Sequence, residues 1–426
     1  MDATTRRWRA ALFTFMLLVG VGMASWVART PAIRDALGAS TADMGLVLFG
    51  LSIGSMTGVL ASGGLVRRYG GRAVTSAGAA LIVTGLAVVA GAATASLAAG
   101  VFCGLALFGA GLGLSEIAVN IEGAAVEHRL GRPVLPVLHG CFSLGTVAGA
   151  LLGMGLTAID FPVGWHLLAA TLAIAAASVW SVLGIPAGTG RAEAATEGGR
   201  AERGSALRVW RDGRLVLIGF IVLAMAFAEG SANDWLPLVM VDGHGTSATV
   251  GSLTYTVFAA AMTAGRFAGG PFLVRFGRAT VVRASALIAA AGLALVIFPG
   301  SAALATTGVV LWGLGASLGF PVSISAAGDH PRDAAVRVSA VATAGYFAFL
   351  VGPPALGFLG DHVGLRHALI AVLVLVLAAS FLARAMRPHA EHGERAGDAE
   401  DAGHAEGAAA RGGPEPRTSP VPEREA

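Results

Sequence analysis

The sequence predicts an all-α membrane protein with twelve transmembrane helices arranged as two parallel six-helix repeats. The first observation is composition: the 426 residues are 55% hydrophobic and 13% charged, with a mean hydropathy of +0.72, which excludes a soluble protein. The second is a series of long apolar runs separated by short arginine-bearing loops. The third is that sequence features of the first half recur in the second half.

Twelve apolar runs have the length that a bilayer requires. A hydrocarbon core ~30 Å thick takes roughly 20 apolar residues per helix, because lipid offers no hydrogen-bond partners to the backbone. The runs lie at 10–28, 43–62, 73–93, 97–118, 134–157, 163–185, 215–239, 248–268, 280–298, 302–325, 338–358 and 367–386. Arginines precede the first run and no small-residue cleavage site follows it, so we interpret it as a retained helix. In the fifth run, Gly145, Gly149 and Gly153 form a stripe typical of close helix packing.

The arginines predict the orientation of these runs. The sequence contains no lysine, and twelve spans with the N-terminus inside place all of its 29 arginines on the cytoplasmic side except Arg29, Arg34 and Arg366. This partition follows the positive-inside rule and predicts a multi-pass protein of the inner or plasma membrane with both termini cytoplasmic. Because the arginines are dispersed between apolar runs, the bilayer is an expected partner and nucleic acid is not. Cys103 and Cys141 cannot supply a disulfide framework or a cysteine-based zinc site.

The chain divides into four predicted segments. Residues 1–186 form an N-terminal six-helix bundle, and 187–213, which have almost no apolar content, form a cytoplasmic linker. Residues 214–388 form a C-terminal six-helix bundle. Residues 389–426 are rich in charge and lack aromatic residues, which predicts a disordered cytoplasmic tail. The tail histidines have no regular spacing, and neither a metal nor a cofactor is expected.

The two bundles resemble each other at an offset of about 206 residues. Gly45 corresponds to Gly251, Met56-Thr57 to Met262-Thr263, and Gly63-Gly64 to Gly269-Gly270. Trp26 has a counterpart in Trp235. This correspondence predicts a six-helix unit repeated in parallel. Such repeats are one of the architectures of secondary transporters, with the binding site between the repeats near the midplane.

Two loops carry a resemblance to a known family. The loop after the second run reads Gly63-Gly64-Leu65-Val66-Arg67-Arg68-Tyr69-Gly70-Gly71-Arg72, and the one after the eighth reads Gly270-Pro271-Phe272-Leu273-Val274-Arg275-Phe276-Gly277-Arg278. Both resemble the Gly-x-x-x-Asp-Arg-x-Gly-Arg-Arg signature of the major facilitator superfamily, and the resemblance extends over residues 10 to 388. It implies that the cytoplasmic gating loops contain Gly64, Arg68, Gly70, Arg72, Gly270, Arg275, Gly277 and Arg278. Both copies lack the aspartate, with Arg67 and Val274 in its place, so the family's cytoplasmic latch lacks its acid.

Three further stretches are similar to the fucose-permease-like branch of that superfamily. They are Asn120-Ile121-Glu122-Gly123, the run His139 to Gly145, and Ala228-Glu229-Gly230 followed by Asp234-Trp235. The resemblance implies a monomeric secondary active transporter, not an enzyme, that moves a small polar solute, sugar-like or another metabolite, by alternating access with proton coupling. The alternatives are a proton-antiport exporter of drugs or metabolites and a non-transporting receptor or scaffold built on the same fold.

Acidic residues within apolar runs are candidates for function, because a charge in lipid is costly. Glu229 lies deepest and shares a helix face with Asn233, whereas Asp234 is expected near the outer surface. Glu229 either takes up a proton or pairs with the substrate, or it is a structural carboxylate that is protonated or paired with another helix. Pro237 predicts a broken helix end just beyond them.

The fourth and fifth runs supply a second group of candidates. Glu116 and Asn120 lie on one stripe, and Glu116 is either functional or a snorkelling interfacial residue. Glu122 is expected in the cytoplasmic loop without a function. His139 either relays protons with Glu116 or Asn120, or is a hydrogen-bonded core histidine.

The remaining candidates are aromatic or lie in a loop. Trp26 and Trp235 suit an aromatic wall for a sugar-like ring or a membrane-interface belt, and the belt is the more common arrangement. Tyr255 and Tyr346 are expected to line the cavity. The group Asp329-His330 with Asp333 is expected to be a solvated loop.

Overall fold

A computed structural model of the chain describes residues 2–131, 134–191, 209–329 and 334–387. Every regular element within these ranges is helical. Most of the predicted linker, the whole predicted tail, His330 and Asp333 lie outside the described residues.

The first repeat consists of six long helices and one short one. The helices are α1 (Ala3–Ala28), α2 (Thr30–Leu37), α3 (Thr41–Tyr69), α4 (Gly71–Thr94), α5 (Ala98–Leu130), α6 (Leu135–Ala158) and α7 (Val163–Gly184). Local sequence explains several of their ends. The Asp2 carboxylate accepts a hydrogen bond from the Thr5 backbone N–H at 2.6 Å, and Ser40 and Asp43 form a capping box at the start of α3.

The second repeat contains the longest helix of the chain. Its helices are α8 (Gly213–Leu238), α9 (Ala248–Ile297), α10 (Ala302–Ala316), α11 (Gly319–Ala327), α12 (Ala334–Val363) and α13 (Leu365–Leu382). A π-helical turn, Val239–Gly243, follows α8. The 50 residues of α9 contain both the eighth and ninth predicted spans, which meet at Gly277, where φ is 75° and ψ is 161°. Since α10 and α11 together cover the tenth span, the described helices supply the twelve predicted spans.

Two local predictions are wrong. Glu122 lies within α5, not in a loop, and is fully buried, because the helix extends beyond the apolar run to Leu130. Pro237 does not break α8, which continues to Leu238 and then widens into the π-helical turn. The missing N–H of Pro237 falls in the last turn of the helix, where the wider turn accommodates it.

Backbone contact through glycine joins α1 to α6, as the Gly145 stripe predicts. A β carbon added to Gly145 would lie 1.9 Å from the Leu17 carbonyl oxygen, and one added to Gly149 would lie 2.6 Å from that of Val21. At Gly153 it would lie 2.5 Å from the Ala28 β carbon. The two helices can approach this closely only because these positions have no side chain.

The two repeats touch closely at one end of the bundle, which we name the Arg34 end. Arg34 of α2 forms an ion pair with Asp242 in the turn after α8. The Ser252 hydroxyl of α9 donates a hydrogen bond to the Ala28 carbonyl oxygen of α1 at 2.7 Å. A β carbon on Gly45 of α3 would lie 2.9 Å from the Pro353 carbonyl oxygen of α12. These contacts close the interface between the repeats at this end.

The opposite end, which we name the Gly70 end, contains the turn between α3 and α4 and the bend at Gly277 in α9. A β carbon on Gly64 or Gly270 would meet no atom within 4 Å. These two glycines of the predicted gating loops are therefore not packed against the other repeat in this conformation.

The glycine contact between α1 and α6 can be tested by adding a methyl group. We expect Gly145→Ala to lower the free energy of unfolding by ~1–3 kcal/mol, because the new β carbon overlaps the Leu17 carbonyl. Thermal unfolding of the purified protein in detergent measures the change. Gly155→Ala in the same helix is the matched control, since a β carbon there meets nothing within 4 Å. Equal unfolding temperatures for the two variants would contradict this packing.

Candidate functional site

An ion pair inside the bundle forms the centre of the candidate site. Arg266 Nη2 on α9 lies 2.8 Å from Glu229 Oε1 on α8, and the two side chains are 33% and 15% exposed. Glu229 is therefore paired with a residue of another helix, which is one form of the structural interpretation given above. The positive-inside partition counts Arg266 with the cytoplasmic arginines, but Arg266 lies within the eighth apolar run, and the structure places it inside α9, where its side chain meets α8. The apolar residues on both sides of Arg266 are the sequence signal that would have identified it.

His139 and Asn120 from the first repeat lie beside this pair. His139 Nε2 on α6 is 3.1 Å from Asn120 Oδ1 on α5, and His139 is close enough to Arg266 for their charges to interact. The structure thus brings together His139 and Asn120, which the sequence singles out as possible members of a proton relay. The hydrogen bond is compatible both with a relay and with a structural histidine, so the role of His139 stays a prediction.

Glu116 completes the part of the cluster that comes from the first repeat. It interacts with the Tyr346 hydroxyl of α12 and is close enough to Glu229 for the two carboxylates to interact electrostatically. Glu116 is half-buried and meets side chains of the second repeat. It is thus not a residue that snorkels to a lipid interface.

Asn233, Asp234 and Tyr255 extend the cluster toward the Arg34 end. Tyr255 Oη is 3.4 Å from Asn233 Oδ1, and its hydroxyl interacts electrostatically with both Glu229 and Asp234. Asp234 is 9% exposed, and α8 with its π-helical turn continues beyond it to Gly243. Asp234 is therefore buried among protein side chains, and its expected position near the outer membrane surface stays a prediction.

Neither interpretation of the two paired tryptophans fits the structure. Trp26 and Trp235 are each 1% exposed. A fully buried indole can neither anchor at a lipid interface nor present a free ring face to a solute. Both side chains belong to the packed core of the bundle.

The two predicted gating loops have the same turn geometry. Gly70 has φ 87° and ψ 159°, and Gly277 has φ 75° and ψ 161°, a region that favours glycine. Before these glycines, the Arg68 guanidinium lies 5.1 Å from the Tyr69 ring centroid, and that of Arg275 lies 5.4 Å from the Phe276 ring centroid. The tight turns that the motif predicts are present in both repeats.

The second loop has an acidic partner from another helix. Arg278 Nη1 lies 2.6 Å and 2.8 Å from the two carboxylate oxygens of Asp329, which follows α11, and Arg214 Nη2 lies 3.6 Å from the same group. Asp329 lies in the turn after α11, as expected for a loop residue, and the structure adds its ion pair with Arg278; His330 and Asp333 of the same predicted group lie outside the described residues. The acid that is missing from the loop motif is thus supplied by a residue about fifty positions later, at the same end of the bundle.

In the first repeat, Glu122 lies beside the loop turn. A β carbon on Gly71 would lie 2.2 Å from Glu122 Oε1, and Glu122 is fully buried. Glu122 therefore lies at the N-terminus of α4, where the helix dipole favours a negative charge. Its position next to α4 could not be predicted from a placement in the loop.

Another ion pair at the Gly70 end joins the start of α8 to α12. Arg337 Nη1 lies 2.6 Å from Asp212 Oδ2, and the Arg214 backbone N–H donates a hydrogen bond to Asp212 Oδ1. Burial works against ionisation of Asp212, but the hydrogen bonds from Arg337 and Arg214 outweigh it and lower its pKa below the usual range. Asp212 is therefore held as a carboxylate that caps α8.

Across the ranges that the structure describes, no group of three or more His, Cys, Asp or Glu side chains is arranged to hold a metal ion.

The sequence matches the Major Facilitator Superfamily over residues 11–347 and, in a second match, 235–420. The chain therefore belongs to this superfamily. An uncharacterized MFS-type transporter of Yersinia pestis is 31% identical over 375 residues, which cover 87% of this chain and 93% of that protein. The membrane protein MosC of Rhizobium meliloti is 27% identical over 376 residues, covering 87% of this chain and 88% of MosC.

Solved structures show the same fold at low sequence identity. The nucleoside transporter NupG superposes with a TM-score of 0.73 and 14% identity, covering 90% of this chain and 99% of that one. A D-xylose–proton symporter gives a TM-score of 0.69 with 13% identity, over 90% and 98% of the chains. The E. coli fucose:proton symporter gives 0.63 with 18% identity, over 89% and 98%. The expected similarity to fucose permeases is thus found in the fold.

The ion pair of Asp212 gives a prediction about pH. The lowered pKa of Asp212 means that its contribution to stability is present above the ordinary aspartate pKa and is lost as the pH falls through the folded-state value. We expect Asp212→Asn to destabilise the protein by ~1 kcal/mol at neutral pH and the difference to shrink in acid. Thermal unfolding as a function of pH measures it. Asp361→Asn, at an exposed position, is the control, and a gap that widened in acid would contradict the assignment.

Proposed function

We propose that this protein is a secondary active transporter that moves a small polar solute by alternating access and couples the movement to protons. The observation that supports this most strongly is the Glu229–Arg266 ion pair, which lies inside the bundle near polar side chains of both repeats. Relatives in the same superfamily are named as transporters, and similar folds include symporters of D-xylose and fucose. Those similarities support a polar solute but do not identify one.

The coupling follows from the charge on Glu229. A proton on its carboxylate removes the negative charge that holds Arg266 and weakens the link between α8 and α9. Protonation couples to solute movement only if it changes the relative stability of the two conformations or their affinity for the solute. The charge on Glu229 also acts on Glu116, because the two carboxylates interact electrostatically. Glu116 in turn interacts with Tyr346 of α12, so a proton on Glu229 changes the electrostatic environment of that helix as well.

We further propose that the Gly70 end faces the cytoplasm, since the loops at that end contain most of the arginines. Both chain termini are then cytoplasmic. The structure then corresponds to a conformation that is closed at the outer face by the Arg34–Asp242 ion pair. The boundaries of the two bundles, 1–186 and 214–388, remain predictions, and so does the monomeric state.

Neutralising Glu229 tests proton coupling. In proteoliposomes, we expect Glu229→Gln to retain solute exchange but to lose accumulation driven by an imposed pH gradient, by ~10-fold or more, because glutamine cannot carry a proton between the two sides. Glu229→Asp is the matched control, since it keeps a titratable carboxyl group and should retain part of the accumulation. Undiminished pH-driven uptake by the Gln variant would remove Glu229 from the mechanism.

The outer contact gives a test of alternating access. We expect Asp242→Asn to shift the protein toward a conformation open at the Arg34 end, because it removes the charge pair between the repeats. An impermeant maleimide should then label a cysteine at position 233 faster, by roughly 5-fold for a shift of ~1 kcal/mol, in a background without Cys103 and Cys141.

The matched control for this variant is a neighbouring acid. Asp35 also pairs with Arg34, at 2.8 Å, but both belong to α2 of the first repeat. Asp35→Asn should therefore leave the labelling rate unchanged. Equal labelling rates for Asp35→Asn and Asp242→Asn would show that the ion pair between the repeats does not hold the outer face closed.

A further inference from the structure

We propose that the solute carries a protonated amine, an inference that rests on the proposed transporter function. The argument begins with the charges of the central cluster. Three carboxylates, Glu116, Glu229 and Asp234, belong to it, but among the described residues Arg266 is the guanidinium that pairs with any of them. The cluster therefore has more acidic than basic groups.

Two of these carboxylates have no cationic partner among the residues that the structure describes. Within the described part of the chain, neither Glu116 nor Asp234 forms an ion pair, and Asp234 is only 9% exposed. A carboxylate in a site of low dielectric constant needs a cation or a proton to offset its lost hydration. An anionic solute would add to this imbalance and a neutral solute would leave it unchanged, whereas a cationic solute would reduce it.

The position of Glu116 indicates where the positive charge binds. Glu116 on α5 of the first repeat faces Glu229 on α8 of the second, and the two carboxylates are close enough to interact. An ammonium group between them would contact both repeats at once. A ligand that bridges the repeats has different contacts in the two conformations, as alternating access requires.

The surrounding groups suit the rest of such a solute. Asn120 and Asn233 supply amide groups, Tyr346 and Tyr255 supply hydroxyls, and His139 supplies an imidazole. These side chains can donate and accept hydrogen bonds with hydroxyl groups of a solute. The site therefore fits a small polar amine, such as an amino sugar or amino alcohol, better than a carboxylic acid.

Charge-matched compounds test this inference on the full-length purified protein. Each set of three shares one scaffold and differs in charge: glucosamine, glucose and glucuronate; ethanolamine, ethylene glycol and glycolate; tyramine, p-cresol and 4-hydroxyphenylacetate. Ligand-induced thermal stabilisation is measured at constant ionic strength near neutral pH. In at least one set, we expect the amine to reach half-saturation at a concentration at least ~10-fold lower than its neutral and acidic counterparts.

A variant then locates the charge. Glu116→Gln should weaken binding of that amine by ~10-fold or more, whereas Asp361→Asn, at an exposed position, should leave it unchanged. The comparison within each set uses the unmodified protein, so it decides the inference even if the Gln variant does not fold.

The outcomes separate this inference from the proposed function. Preferential stabilisation by a carboxylate or a neutral compound, or no stabilisation by any of the three amines, overturns the inference. Flux of a neutral or acidic compound in proteoliposomes would still support a transporter. Binding of an amine without any flux would instead support the amine site and argue against transport.

Discussion

The cost of placing charge inside a lipid bilayer is the constraint on which the rest of this structure depends. A carboxylate surrounded by hydrocarbon has lost its hydration and must be compensated by a cation, a proton or a hydrogen-bond donor. Glu229 meets this requirement through Arg266 on the adjacent helix, and Glu116 meets it partly through the Tyr346 hydroxyl. Both arrangements form inside the bundle, between helices of the two repeats or within the second repeat.

Close packing makes this placement possible. Helices α1 and α6 approach through the glycine stripe of Gly145, and α6 presents His139 toward Asn120 of α5. A larger residue at a contact position would separate the helices and move the polar groups apart. The polar cluster is thus positioned by backbone contacts that themselves contain no polar side chain.

The two loop motifs illustrate how a missing residue can be replaced from a distance. Neither loop has the aspartate of the superfamily signature, yet Asp329 pairs with Arg278 after the second turn, and Glu122 lies at the N-terminus of α4 after the first. Both acids come from helices or turns that pack beside their loops. In the second repeat, Asp329 thus supplies Arg278 with a carboxylate partner although the local motif has changed.

The number and order of the spans, the repeat and the glycine turns are predictable from the sequence, because they depend on local composition and on period along one helix. The sequence also indicates Glu229, Glu116, Asn120 and His139 as polar positions in or beside apolar runs. The pairing of Arg266 with Glu229, the pairing of Asp329 with Arg278 and the burial of the two tryptophans are seen only in the folded protein. These outcomes depend on which faces of different helices meet, and on helices that extend past their apolar runs. Neither property is encoded in the hydropathy of a single segment.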